Sequence, residues 1–250
     1  MDLGIEGKVA LVMGASSGIG RGVAEALARE GAIVAVSSRS SERLDELAAE
    51  LGGGSRPFPA DTGDIERMGS LPEEIAEALG PLAILVTNTG GPPRGAALEN
   101  PRDQWEAAYR SLVLAPRTVV ESALPAMRAR GWGRIVNVAS SSVREPIPEL
   151  ALSNAHRMAA VGLFKTLATE VAGEGITVNT VATGRFATER QAEPHGSMDA
   201  AEEVAREEVP AGRLGKPEEY GDLVAFICSE RAAYLTGAVI PLDGGLLRSA

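Results

Sequence analysis

The amino-acid sequence predicts an α/β fold in which a doubly wound parallel sheet of about seven strands is flanked by helices. The chain has 250 residues, of which 44% are hydrophobic, and this is enough for one large domain with a substantial core. Short apolar runs alternate with helical patterns along the whole chain, which is typical of βαβ units. The first apolar run, 9–13, ends in the glycines Gly14, Gly18 and Gly20. We find no repeat or linker, so we predict a single domain over residues 1–250.

The strands are predicted from seven short runs rich in β-branched or apolar residues, at 9–13, 33–37, 56–59, 84–87, 135–139, 177–182 and 239–242. The helices are predicted between them, near 18–30, 41–51, 64–79, 102–130, 152–172 and 217–229. The segment 185–212 breaks this alternation because it is long, polar and acidic and contains Pro194 and Pro210. We expect it to be a functional lid or a mobile loop, with a plain surface insertion as the alternative.

Composition excludes several classes of protein. The formal net charge of −10 argues against a nucleic-acid-binding surface, which would need clustered lysine and arginine. The apolar runs are far shorter than the roughly 18 residues that a membrane span needs, and no secretory leader is visible. The single cysteine, Cys228, cannot form an internal disulfide, and we interpret it as a small buried hydrophobe. We therefore expect a cytoplasmic protein that binds neither membrane nor nucleic acid, and we predict no metal site.

The glycine turn at 14–20 is the feature that points most directly to a ligand. Glycines allow the backbone to turn sharply and to lie close to a bound group, and the N–H groups at the start of the next helix can bind a pyrophosphate. A strand, a glycine turn and a helix in this order predict a dinucleotide site. The spacing is G-x-x-x-G-x-G, not the better-known G-x-G-x-x-G, so an ordinary strand-to-helix turn is the alternative.

Six segments together resemble the short-chain dehydrogenase/reductase family over nearly the whole chain. They are Gly14-Ala15-Ser16-Ser17-Gly18-Ile19-Gly20, Asp61-Thr62, Asn88-Thr89-Gly90, Ile135-Val136-Asn137-Val138-Ala139-Ser140, Val178-Asn179-Thr180-Val181-Ala182-Thr183-Gly184 and the stretch from Arg213 to Gly245. The resemblance implies a Rossmann-type fold and a nicotinamide-dependent oxidoreductase. The order of the six segments is most similar to that in the branch of the family that reduces 3-oxoacyl-carrier-protein substrates. Thr183 stands where this family usually has proline.

The resemblance also implies which residues contact the cofactor. They are Gly14, Ser16, Ser17, Gly18, Ile19, Gly20, Ser38, Arg39, Asp61, Thr62, Asn88, Thr89, Gly90, Arg157, Gly184 and Thr188.

The residues after the second strand favour NADP(H) over NAD(H). An acidic residue there would bind the ribose 2′-hydroxyl and repel a 2′-phosphate, whereas an arginine accommodates that phosphate. This chain reads Ser38-Arg39 and has no carboxylate before Glu42. Arg39 and Ser38, with Arg21 or Arg43 as further candidates, could bind the phosphate. A solvated Arg39 without a ligand is the alternative.

Most catalytic positions of the family are substituted in this chain. The resemblance assigns the catalytic serine to Ser140, the tyrosine position to Ser153 and the lysine position to Arg157, whereas Leu112 replaces the supporting asparagine. A serine hydroxyl does not titrate in a useful range, so Ser153 should lower the rate by about 10²–10⁴-fold. Arg157 can still hydrogen-bond the ribose and supply positive charge, but it cannot shuttle a proton.

A proline near Leu112 suggests partial compensation. In this family the backbone carbonyl of the asparagine holds a water molecule of a proton relay. Pro116 has no N–H to offer the carbonyl of Leu112, and its ring pushes against that carbonyl, so we predict a kink that frees it. We hypothesise that a water site persists there, while a kink without chemistry is the alternative.

Other side chains are weaker candidates for the proton donor. His156 lies three residues after Ser153, near its helix face, although a packed or surface histidine is the simpler interpretation. Tyr109 lies three residues from Leu112 on the same predicted helix. His195 lies in the irregular segment and could touch substrate or be solvated. Tyr220 and Tyr234 lie outside the expected segment.

These residues support two main hypotheses of function. The first is an NADP(H)-dependent reductase of a small carbonyl substrate, with 3-oxoacyl thioesters to be tested first and an altered proton donor. The second is an NADP(H)-binding protein with little or no redox activity, acting as a sensor or as a regulatory or structural subunit. A dehydratase or isomerase is a third possibility. The resemblance implies a homotetramer or homodimer formed through the helices near 102–130 and 152–172 and through the last strand.

Overall fold

A computed structural model describes residues 1–249 of the chain. All seven strands form one parallel sheet in the order β3-β2-β1-β4-β5-β6-β7. The strands are β1 (Val9–Met13), β2 (Ile33–Ser37), β3 (Arg56–Pro57), β4 (Leu82–Thr87), β5 (Gly133–Val138), β6 (Ile176–Thr183) and β7 (Val239–Leu242). The predicted doubly wound α/β fold is therefore confirmed, and the strand order reverses between β1 and β4.

Helices cover both faces of the sheet and bury its apolar side chains. They are α1 (Gly18–Arg29), α2 (Ser41–Leu51), α3 (Ile65–Leu79), α4 (Arg102–Tyr109), α5 (Ala115–Arg130), α6 (Ala151–Val171), α7 (Glu189–Ala192), α8 (Met198–Glu208) and α9 (Pro217–Ile227). Helices α1, α2 and α9 pack on one face, whereas α3, α5 and α6 pack on the other. Within residues 1–249, no helix combines the length and the apolar character needed to cross a membrane.

Strand β3 is shorter than predicted, since it covers Arg56–Pro57 instead of 56–59. Pro57 and Pro59 have no N–H group to donate to a ladder, which limits the pairing of this edge strand. The N–H of Phe58 still donates to the carbonyl of Val36, at 2.9 Å. The other strand boundaries differ from the prediction by two residues or fewer.

A row of buried polar side chains holds β4, β5 and β6 in register. The Thr87 hydroxyl donates to Asn137 Oδ1 at 3.3 Å, and Asn137 Nδ2 donates to Thr180 Oγ1 at 3.4 Å. These residues are direct partners across the strand pairs. Because buried polar groups are costly unless they are hydrogen-bonded, this row favours one alignment of the three strands. It fixes which residues emerge together at their carboxyl ends.

The helix predicted over 102–130 is distorted where Leu112 lies. A π-helical turn, Arg110–Leu114, separates α4 from α5. The N–H of Ala115 donates to the carbonyl of Arg110, five residues back, and Pro116 has no N–H to continue the α-helical pattern. The predicted distortion near Leu112 is therefore present, in the form of an inserted π turn.

The segment 185–212 is more ordered than the predicted loop. It contains α7, the 3₁₀ turn Glu193–His195 and α8. Thr188 caps α7 and Ser197 caps α8, each by accepting a backbone N–H bond on its hydroxyl. The α8 residues Ala201 and Ala205 form a small apolar cluster with Val209 and Leu214. Capping residues and alanines thus stabilise two helices that the sequence analysis did not predict, and the lid or mobile loop expected here stays a prediction.

Close helix packing between α1 and α9 depends on two glycines. A Cβ atom on Gly22 would lie 2.4 Å from the carbonyl oxygen of Pro217, and one on Gly221 would lie 2.2 Å from the carbonyl oxygen of Gly22. Since both obstacles are backbone atoms, the helices would have to separate to accept a side chain.

We predict that Gly22→Ala lowers the free energy of unfolding by about 1–3 kcal/mol, because overpacking forces the two helices apart. Urea unfolding followed by circular dichroism measures the change. Gly173→Ala is the matched control, since no atom lies within 4 Å of the added Cβ, and it should shift stability by less than about 0.5 kcal/mol. Equal stability of the two variants would contradict the packing argument.

Candidate cofactor and active site

The glycine turn after β1 is a tightly packed backbone cradle. Gly14 and Gly18 have positive φ angles of 60° and 54°, a conformation that favours glycine. A Cβ on Gly20 would lie 2.0 Å from the Gly14 carbonyl oxygen. The N–H of Ala15 donates to the Ser37 carbonyl at 3.1 Å, which joins the turn to the end of β2. The backbone can therefore approach a ligand closely only with these glycines.

Asn88 supports the turn from β4. Its Nδ2 group donates to the Gly14 carbonyl at 3.2 Å, and a Cβ on Gly14 would lie 2.7 Å from the Asn88 carbonyl oxygen. Thr89 is buried, whereas Gly90 is exposed with no atom within 4 Å of a hypothetical Cβ. The loop after β4 thus fixes the turn on one side and leaves space beside Gly90.

The start of α1 is available to an anion. Ser17 is the N-cap residue and makes no side-chain capping bond, so its hydroxyl does not occupy the first N–H groups of α1. A Cβ atom added to Gly18 would lie 2.9 Å from the Thr188 methyl group. Ser16 and Ile19 are also partly accessible. A helix N-terminus behind a glycine turn fits a pyrophosphate.

The end of β2 presents one unpaired guanidinium. Arg39 is exposed and forms no side-chain hydrogen bond or ion pair with the described residues 1–249. The Ser38 hydroxyl accepts the N–H of Ser40 at 3.3 Å. Arg21, in contrast, is ion-paired with both Glu25 and Glu50. Among the predicted phosphate ligands, Arg39 is therefore free to bind, whereas Arg21 is occupied.

Other predicted cofactor ligands lie at the ends of β3 and β6. Asp61 is exposed, and its Oδ1 accepts the N–H of Gly63 at 2.8 Å, which closes a turn beside Thr62. Gly184 follows β6, and a Cβ there would lie 2.4 Å from the Asp243 Cα atom. Because the sheet is parallel, these loops share its carboxyl edge with the glycine turn and with Asn88.

Arg157 connects the two strands that flank the predicted active site. Its Nη1 group donates to the Val138 carbonyl at 2.9 Å, and its Nη2 group donates to the Gly90 carbonyl at 3.2 Å. Its Nε group donates to Ser153 Oγ at 3.2 Å. Burial, and secondarily the neighbouring charge of Arg190, lower the pKa of Arg157 to about 10. The side chain therefore remains charged at neutral pH and ties the end of β5 to the loop after β4.

Ser140 and Ser153 have different environments. Ser140 follows β5, is partly accessible, and accepts the N–H of Ser142 on its hydroxyl oxygen at 3.1 Å. Its own hydrogen remains available for a substrate oxygen. Ser153 is 5% exposed, and its oxygen accepts the Arg157 bond. The Ser140 hydroxyl thus accepts a local backbone bond at the end of β5, whereas the Ser153 hydroxyl holds Arg157.

The structure gives structural roles to the alternative proton donors. His156 is buried, its Nδ1 lies 2.8 Å from the Leu152 carbonyl, and its ring packs 5.3 Å from Trp105. Tyr109 also packs on His156, at a centroid distance of 6.3 Å. His195 ends the 3₁₀ turn that follows α7. These contacts give no support to the hypothesis that one of these groups donates the proton.

Two features of the site were not predicted from the sequence. The first is fully buried Tyr220, whose hydroxyl lies 3.0 Å from Thr183 Oγ1. Thr183 is the residue that stands where the family usually has proline. Burial raises the pKa of Tyr220. The second feature is Arg190 of α7, which donates to the Pro92 carbonyl at 3.5 Å. Both contacts join segments that are distant in the chain, so spacing within one motif gave no signal for them.

Comparison with known proteins agrees with this geometry. A family model described as enoyl-(acyl carrier protein) reductase matches residues 14–247. A 3-oxoacyl-[acyl-carrier-protein] reductase of Thermotoga maritima is 33% identical over 97% of this chain and 99% of its own length. The chain belongs to the short-chain dehydrogenase/reductase family.

Solved structures of this family superpose closely on the chain. L-sorbose reductase from Gluconobacter frateurii, complexed with NADPH and L-sorbose, is 33% identical and has a TM-score of 0.94 with complete coverage of both chains. A variant of actinorhodin polyketide ketoreductase with NADPH is 32% identical and has a TM-score of 0.90, with 96% of this chain and 97% of its own covered. The chain is accordingly an NAD(P)-dependent oxidoreductase of this family.

We predict that Asn88→Asp weakens NADPH binding by about tenfold, because it replaces the donor that holds the Gly14 carbonyl by an acceptor. Titration of NADPH fluorescence measures the dissociation constant. Asn100→Asp is the control, since Asn100 Nδ2 also donates to a backbone carbonyl, that of Ala96 at 3.0 Å. The same loss of affinity in both variants would show that the effect does not arise at the glycine turn.

Proposed function

We propose that this protein is an NADP(H)-dependent reductase of a small carbonyl substrate in which Arg157 and Ser153 replace the usual lysine and tyrosine. The observation that supports it is the set of bonds from Arg157 to the Val138 and Gly90 carbonyls, which preserves a cation between β5 and the β4 loop. A fixed cation at the carboxyl edge of the sheet favours an anionic cofactor and negative charge that develops on a substrate oxygen. The open glycine cradle and the uncapped start of α1 support cofactor binding in the same way.

The residues around Arg157 suggest how the reaction would proceed. NADPH supplies a hydride to the substrate carbonyl when it is bound. Ser140 donates its free hydroxyl hydrogen to the carbonyl oxygen and orients it. Arg157 stabilises negative charge near that oxygen as a fixed cation.

The proton must come from a source other than Ser153. This hydroxyl is buried, and its oxygen is engaged by Arg157. We propose that a water molecule supplies the proton. A backbone carbonyl of the π turn Arg110–Leu114 would hold this water molecule. General acid catalysis would then be weaker than with a phenol, and turnover correspondingly slow.

The second candidate function is an NADP(H)-binding protein with little redox activity. It is favoured by the loss of a titrating group at position 153, because neither serine nor arginine exchanges a proton near neutral pH. Incubation with NADPH and a panel of 3-oxoacyl thioesters, quinones and aldehydes separates the two functions. Consumption of NADPH supports the reductase, whereas tight binding without consumption supports the second candidate.

We propose further that the protein is cytoplasmic and forms a homotetramer or a homodimer. Exposed apolar side chains on two helices support self-association, since Tyr109 of α4 is 46% exposed and Met158 of α6 is 49% exposed. Among substrates, 3-oxoacyl thioesters are the first to test, because two of the relatives are named 3-oxoacyl-[acyl-carrier-protein] reductase.

We predict that the wild-type protein binds NADPH more tightly than NADH and that Arg39→Ala removes about tenfold of this preference. The reason is that Arg39 is the exposed, unpaired guanidinium at the end of β2. Fluorescence titrations with both cofactors give the ratio of dissociation constants. Arg128→Ala removes a surface arginine that is paired with Glu174 and should leave the ratio unchanged. A wild-type ratio near one would refute the preference.

We predict that the double variant Ser153→Tyr with Arg157→Lys raises the rate of carbonyl reduction by about 10²–10⁴-fold, because it restores a titrating general acid. Steady-state consumption of NADPH measures the rate. In this variant the neutral phenol donates the proton, so the reduction rate should fall as pH rises through the phenol pKa. Wild-type turnover should show no such phenol-dependent fall. A double variant that binds NADPH but remains as slow as wild type would show that the substrate site has diverged as well.

A further inference from the structure

Helix α7 spans the two loops that meet where the strand order reverses. At its N-cap, the Thr188 methyl group lies 2.9 Å from the position that a Cβ atom on Gly18 would take, in the turn after β1. One residue into the helix, Arg190 reaches the loop after β4, where its guanidinium occupies the space that a side chain on Gly91 would need. A hypothetical Gly91 Cβ would lie 1.8 Å from Arg190 Cζ. Ligands of open α/β sheets bind at this reversal point, outside the carboxyl ends of the strands.

Two guanidinium groups flank Gly91. Arg157 donates to the carbonyl of Gly90, and Arg190 donates to the carbonyl of Pro92. They are close enough for the charge of Arg190 to contribute to the lowered pKa of Arg157. Desolvation lowers the pKa of Arg190 itself, Glu193 opposes this, and the charge of Arg94 adds to the lowering. Three like charges therefore gather around one short loop of an acidic protein.

The guanidinium of Arg190 has N–H donors that form no hydrogen bond with the described residues. Arg157 uses its three nitrogen atoms in three hydrogen bonds, whereas the bond from Arg190 to Pro92 is long, at 3.5 Å. Within residues 1–249, Arg190 forms no ion pair with a carboxylate, whereas its neighbour Glu189 pairs with Arg43. The residue as a whole is exposed, although its guanidinium lies against the loop after β4. Its guanidinium can therefore accept an anion without breaking an existing ion pair.

We propose that Arg190 binds a carboxylate of the substrate, so that the protein reduces a small oxo acid in preference to a neutral ketone or a thioester. A planar carboxylate matches the paired N–H groups of a guanidinium better than a single negative point charge does. Arg94 and Arg157 raise the local positive potential and favour the anion further. This inference rests on the proposed reductase function and narrows its substrate class.

Binding and turnover are measured separately, so that the two proposals can fail independently. The probes are 3-oxobutanoate and its methyl ester. Calorimetric titration of the NADP⁺ complex, which has no hydride to transfer, reports binding, and loss of the reduced nicotinamide absorbance in the NADPH complex reports turnover. We expect the acid to bind at least about tenfold more tightly than the ester. Binding of the acid without turnover would contradict the reductase function and leave the anion site supported. Equal affinity for acid and ester would overturn the anion site.

Three variants test the role of Arg190. Arg190→Gln should abolish the preference for the acid, and Arg190→Lys should retain part of it. Gly91→Ala keeps every charge but displaces the guanidinium, so it should also lower the preference. Arg206→Gln is the control, because Arg206 is an exposed arginine on α8 that pairs only with Glu203.

Two further results would replace the proposal by another assignment. If Arg190→Gln weakens NADPH itself and leaves the acid-to-ester ratio unchanged, Arg190 is a cofactor ligand and the proposal is wrong. If inorganic phosphate competes with 3-oxobutanoate far better than acetate does, the anion bound is a phosphate and not a carboxylate. Competition by acetate at comparable concentration, lost in Arg190→Gln, supports the carboxylate site.

Discussion

The packing of Gly20 against the Gly14 carbonyl is the constraint on which the rest of the site depends. A Cβ at either glycine would collide with backbone or with Asn88, so β1, the start of α1 and the loop after β4 can meet only with these residues. The Asn88 side chain closes the same junction from β4. Because strands β1 and β4 are neighbours at the reversal of strand order, this junction determines where a ligand can enter the sheet edge.

Arg157 is held as a fixed cation between the end of β5 and the loop after β4. The planar guanidinium of Arg157 donates to two carbonyls and a hydroxyl from three different nitrogen atoms. An ammonium carries all of its donors on one nitrogen atom. The Ser153 side chain is short, and its hydroxyl oxygen accepts the bond from Nε of this guanidinium. Burial lowers the pKa of Arg157 to about 10, which is still above neutral pH, so the side chain is charged while it joins the end of β5 to the loop after β4. Arg157 and Ser153 act together, because the Ser153 hydroxyl accepts one of the three bonds.

The sequence predicted the strands, the glycine turn and the distortion at Leu112, because apolar runs, glycine spacing and Pro116 each act locally. It failed at 185–212, where the apolar face of α8 consists largely of alanines such as Ala201 and Ala205 and is weak as a hydrophobic pattern. Ser197 was the available sign of a helix start. The bond of Arg190 to the Pro92 carbonyl could not be predicted, since it joins segments about a hundred residues apart that meet only in the folded chain.

The distribution of arginine partners separates the scaffold from the site. Ten arginines are ion-paired with glutamate or aspartate on the surface, as in the pairs of Arg29 with Asp222 and Arg213 with Glu219. Arg39 and Arg190 have no such partner within the described chain and lie at the carboxyl edge of the sheet. In a protein of net charge −10, unpaired guanidinium groups are the places where an anion gains most from binding. Permanent cations favour phosphates and carboxylates, and under the proposed function they leave the proton to be supplied by another group.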